Sequence, residues 1–87
     1  MLNSDLKPAF ANKIEAMVKA FGIGVTVRRI NKHLKDVKRN LAHFERLATI
    51  DPSEEHMSNR AVMEDAVLVY DFEYRKLLRR YKMELAR

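Results

Sequence analysis

The chain has no cysteine, no tryptophan, two prolines and two glycines among 87 residues, and each scarcity narrows what it can be. Without cysteine there is neither a disulfide nor a thiolate metal site, which suits a cytoplasmic protein. No apolar run approaches the ~18 residues that a membrane span needs. The opening Met1-Leu2-Asn3-Ser4-Asp5 lacks a basic region followed by an apolar core, so no secretory signal is expected. Val25 and Val27 are β-branched, but no other segment offers a strand for them to pair with.

Chemistry-bearing constellations are equally scarce. His33, His43 and His56 do not share a helical face, and no HExxH or ExxH pair accompanies them, so a metal site is not expected. Glu64, Asp65, Asp71 and Glu73 spread round a helix with no nucleophile or phosphate loop near them. Gly22-Ile23-Gly24 is too short for a dinucleotide fingerprint. These absences point away from an enzyme and from any cofactor.

What remains is a helical composition, 47% hydrophobic and 33% charged, too apolar for a disordered tail. Residues 1–87 form one domain, and a monomer of this size buries only a modest core, so a second copy or another protein is an expected partner. The few breakers divide the chain into three helices, predicted over 4–21, 26–49 and 52–86. Leu6, Phe10, Ile14, Met17, Val18 and Phe21 share one face of the first. The glycine loop ends it, and Thr26 is expected to cap the second. Asp51 and Pro52 are expected to start the third as N-cap and first helical residue.

The second helix carries Val27, Ile30, Leu34, Val37, Leu41, Phe44 and Ala48 at alternating spacings of three and four, an unbroken heptad seam. The third continues with Met63, Val67, Tyr70, Tyr74, Leu77 and Tyr81. Two such seams joined by a short turn predict an all-α fold: a short N-terminal helix plus a long antiparallel coiled-coil-like hairpin. A turn centred on Asp51 sets Gly24 opposite Leu77 and makes helix three overhang helix two, with Leu78, Tyr81 and Leu85 on the overhang. Ala61, Leu68 and Phe72 form a second apolar strip on the opposite face of helix three. One short first helix covers a single face, so these six residues are the candidate protein interface.

Charge is segregated as well. Residues 26–40 hold six basic side chains against one acid, 41–73 hold two against eight, and 74–87 again six against one. In an antiparallel hairpin both basic stretches lie at the end away from the turn. Arg28, Lys32, Lys35 and Arg39 fall opposite the seam of helix two, and Arg75, Arg79 and Lys82 opposite that of helix three. Like charges four apart cost a few tenths of a kcal/mol each in an isolated helix, so helix stability alone does not select them. Expected compensating pairs are Asp71–Arg75, Glu73–Lys76, Arg80–Glu84 and Lys32–Asp36, which leaves Arg28, Arg39, Arg79 and Lys82 under-compensated. A charged face is often just a solvated one, but this pattern also fits a polyanion, nucleic acid first.

Two further features bear on this choice. Tyr70, Tyr74 and Tyr81 sit on the seam and read as core residues with hydroxyls at the surface, Tyr81 doubling as a base-stacking or interface residue. A helix-turn-helix built on the glycine loop fits the basic helix, whereas the heptad seam on that helix calls for a helical partner. The order of a short helix, a glycine loop and a long basic hairpin, with Glu55-His56-Met57-Ser58-Asn59-Arg60, resembles the family of helical proteins that bind the central domain of small-subunit ribosomal RNA. That segment departs at most positions from the family's His-Ser-Arg run and contains an inserted acidic turn, so no residue role is carried over.

Overall fold

Gly22 is the one residue that separates the first two helices. In the computed structural model, which describes the backbone of residues 6–87 and the side chains of 9–87, α1 is Leu6–Phe21, α2 is Ile23–Ile50 and α3 is Glu54–Leu85. The expected helix start at Ser4 and the core role of the Leu6 side chain lie outside the described residues. Among the described residues there are three helices and no strand, and α2 packs along α3 as the two halves of a hairpin. The all-α expectation holds.

The α1–α2 junction is tighter than a three-residue loop. Gly22 takes φ 87°, and Ile23, Gly24 and Val25 already belong to α2. Thr26 is therefore not an N-cap. It is fully buried, and its hydroxyl donates to the Gly22 carbonyl at 2.8 Å beside the Thr26 N–H at 3.2 Å, so that one carbonyl is satisfied twice inside the first turn. With the break confined to one residue, α1 folds back at once onto the hairpin. Ile14 joins Val27, Ile30 and Leu77 in a buried cluster, with Phe10, Met17, Ile23, Tyr74, Leu78 and Tyr81 packed around it. Phe10 stacks at a tilt on Tyr70, with ring centroids 4.5 Å apart.

The turn between α2 and α3 also departs from expectation. Asp51 closes α2, its N–H donating to the Leu47 carbonyl at 2.8 Å, and Pro52 lies between the helices. Ser53 is the N-cap of α3 and accepts from the His56 N–H at 3.3 Å, while Glu54 and Glu55 complement the positive first turn. His56 Nδ1 lies 2.8 Å from the Asp51 carbonyl oxygen, which only accepts, so Nδ1 carries the proton. Asp51 and Ser53 are both extended, as an N-cap is, but Asp51 is taken up as the C-cap of α2, and α3 begins only after Ser53. Replacing Ser53 with alanine is expected to cost about 1 kcal/mol, a fall of roughly 4–8 °C in midpoint by thermal circular dichroism. An unchanged midpoint would mean the Asp51–His56 contact alone holds the turn.

Moving the turn centre to Pro52 moves the register. An added Cβ on Gly24 would stand 3.3 Å from the Tyr81 hydroxyl, so the Tyr81 ring reaches Gly24, where a turn centred on Asp51 would set Leu77. His33 likewise sits near Tyr70, with centroids 6.5 Å apart. The overhang shrinks accordingly to the last turn of α3. Half of the rod, 51 Å in its longest dimension, is thus three helices thick, and the half near the turn is two.

Candidate polyanion interface

Helical periodicity positions the basic stripe of α2. Arg28, Lys32, Lys35 and Arg39 recur at four, three and four residues on the side opposite Ile30 and Leu34, and all four are exposed. Among the described residues Arg28, Lys32 and Lys35 have no carboxylate within ion-pair distance. Arg39 does have one: Asp36 at 3.6 Å, the acid expected to pair with Lys32. The Arg39 side chain remains 79% exposed, and a surface pair at i, i+3 of this kind contributes little, so it stays available to an external anion. Next to the stripe, Arg29 lies 4.3 Å above the centre of the Phe21 ring, a cation–π contact that ties the basic end of α2 to the end of α1.

The α3 stripe is more engaged. Arg75 Nε is 2.9 Å from Asp71 and Lys76 is 3.6 Å from Glu73, as the spacing predicts. Arg80 does not pair with Glu84. It reaches across to α1 and donates to Glu15 at 2.6 Å, so this cation closes the bundle. Arg79 and Lys82 are exposed and unpaired among the described residues. Each stripe lies opposite its own seam, and the seams face one another. The stripes of α2 and α3 therefore occupy separate sides of the rod and do not merge into one face.

The candidate interface residues divide in the same way. Ala61, Leu68 and Phe72 are exposed, Leu68 at 67% and Phe72 at 59%, and α1 leaves them bare. Leu85 is also 67% exposed. Leu78 and Tyr81, however, are half-buried against the core cluster. The register places Tyr81 inside the bundle end and not on an overhang, half-buried against the core cluster with its ring tip against Gly24. Tyr70 and Tyr74 are half-buried too.

Sequence reasoning missed the line along which α1 docks. Val69 and Glu73 are buried and stand with Leu77 and Arg80 along one edge of α3, where Ile14 and Glu15 approach in a shallow cleft. The spacing four, four and three was visible beside the main seam, but a glutamate within it reads as a solvated position. Among the described residues no helix is long and apolar enough to cross a membrane, and no group of three His, Asp or Glu side chains could hold a metal ion.

No protein family matches the chain, and no curated protein or solved structure is similar to it. The likeness of helix order to the ribosomal-RNA-binding family gains no support from these comparisons.

Proposed function

We propose that the chain is a non-enzymatic helical binding module that presents the basic end of its hairpin to a polyanion, nucleic acid first, and associates through the bare apolar strip of α3. A cytoplasmic location goes with this reading. The observation that carries it is the α2 stripe: four exposed cations on one helical face, three of them without a carboxylate partner, in a protein whose core makes no use of them. The stripe covers about 16 Å of helix, a length over which duplex DNA carries roughly ten phosphates.

Fluorescence anisotropy with mixed-sequence duplex and single-stranded probes tests it. Four phosphate contacts predict a log–log salt slope near −3.6 on duplex, roughly a 100-fold loss of affinity between ~50 and ~200 mM salt. Arg28→Ala combined with Lys32→Ala should flatten the slope by about two, with little change in thermal midpoint. Failure to bind either probe at the lower salt would overturn the reading.

A second reading is a protein–protein adaptor or inhibitor that docks its C-terminal helix onto another protein. It draws on Met83 and Leu85, both 67% exposed in the last turn of α3. There Leu85→Ala would abolish binding while the α2 substitutions leave it intact, the reverse of the polyanion pattern.

A further inference from the structure

The geometry points to a second copy of this chain as the occupant of the α3 strip, docked antiparallel about a two-fold axis that runs between the two copies of α3, on the Leu68 and Phe72 side and level with Tyr70. The inference rests on the reading of that strip as an interface and names its partner.

The exposed side of α3 has an apolar centre, Leu68 and Phe72, with acids before it and bases after it. At 3.6 residues per turn, Glu64 and Arg75 lie on one flank of the strip and Asp65 and Lys76 on the other. A two-fold axis in a helix pair brings each flank against the same flank of the partner. With the axis at Tyr70, residues equally far before and after it meet. Leu68 then packs on the partner's Phe72, and Met57 on the partner's Met83, all four being exposed in the single chain. Ala61 meets the partner's Arg79, a small side chain opposite a long one. Within one residue of the same register, Glu64 meets the partner's Arg75 and Asp65 meets the partner's Lys76, and symmetry makes four such ion pairs.

No other arrangement does this. Parallel pairing sets acids on acids and bases on bases, and a slide of one heptad separates Leu68 from Phe72. The charges are also available. Asp65 has no ion pair among the described residues, and the pairs that hold Glu64 to Arg60 at 3.4 Å and Arg75 to Asp71 at 2.9 Å are exposed contacts within α3 that an interchain pair can extend. Lys76 lies 5.4 Å from the centre of the Phe72 ring, already leaning over the apolar centre. Because α2 lies on the far side of α3, the dimer would carry its two α2 stripes outward, away from the interface.

Sedimentation velocity on the full chain at ~100 μM and ~50 mM salt tests this with two charge-reversed variants. Wild type is expected near twice the 10.2 kDa of the single chain. Glu64→Lys with Asp65→Lys should sediment as a monomer, and so should Arg75→Glu with Lys76→Glu, each folded by circular dichroism. An equimolar mixture of the two should recover the dimer, because both ends of the heterologous pair are then complementary. Phe72→Ala, at an exposed position, should weaken the wild-type dimer at least tenfold without lowering helicity. A wild-type monomer at this concentration, a dimer that survives either reversal, or a mixture that stays monomeric overturns the proposal. Nucleic-acid binding by the α2 stripe is read separately on the same samples. A monomer that binds nucleic acid sinks the dimer alone, and a dimer that ignores it sinks the polyanion reading alone.

Discussion

Replacing Ile30 with alanine is expected to cost about 3–4 kcal/mol, the largest loss of any single truncation in the chain. Ile30 is 1% exposed and stands where all three helices meet, among Ile14, Val27 and Leu77. Truncation removes its transfer energy and leaves a cavity that three rigid helices cannot easily close. A domain of this length has roughly 4–13 kcal/mol in total, so the variant should lose a large fraction of its stability, with a midpoint lower by about 12–30 °C. Leu41 supplies the control. It occupies the same seam in the half of the rod that α1 does not cover and is only half-buried, so Leu41→Ala should cost about 1–2 kcal/mol. Urea denaturation at a low protein concentration measures both without a contribution from self-association. Equal losses would mean that α1 does not seal the bundle over Ile30.

The hairpin was legible because its signal is redundant. Seven positions of α2 and six of α3 repeat a single period, and a slip at any one of them leaves the others in agreement; all thirteen are buried or half-buried in the fold. The places where the sequence misled are those decided by a single residue. Asp51 and Ser53 are both good N-cap residues and both are extended; Asp51 is used to close α2, its N–H on the Leu47 carbonyl, which leaves Ser53 to start α3. That shift of two residues carries the register with it, which is why Tyr81 landed on Gly24 and not beyond the end of α2.

The candidate site was legible in composition and less so in pairing. The spacing shows that one acid, Asp36, is within reach of the α2 stripe, but not which cation it pairs with. Lys32 is the expected partner, and Asp36 instead stands 3.6 Å from Arg39, so among the described residues Lys32 is unpaired and Arg39 is not. Arg80 and Glu15 could not be matched in advance because they lie 65 residues apart, joined by how α1 crosses α3. The exposed strip of Ala61, Leu68 and Phe72 was predictable for a physical reason: three helices, one of them short, have too little surface to cover two faces of α3.

Gly22 should be the position least tolerant of a methyl group, and Gly24, two residues on, among the most tolerant. At φ 87° and ψ 159° Gly22 occupies a region that only glycine enters readily. A Cβ there would meet no atom within 4 Å, so the cost of Gly22→Ala is held wholly in the backbone, about 2–3 kcal/mol. Relaxation offers no escape. Rotating the Gly22 peptide would pull its carbonyl from the buried Thr26 hydroxyl and N–H, and would swing α1 away from Ile30 and from Arg80. Gly24 is helical, and its added Cβ would stand 3.3 Å from the tip of the half-buried Tyr81 ring, which needs to give by a few tenths of an ångström. Alanine at that position gains about 1 kcal/mol of helix propensity against this crowding, so Gly24→Ala should fall within about 1 kcal/mol of wild type. Urea midpoints of the two variants decide the matter. A Gly22→Ala protein as stable as Gly24→Ala would show that α1 and α2 are joined by a looser turn than one residue, and that the docking of α1 over the core does not depend on it.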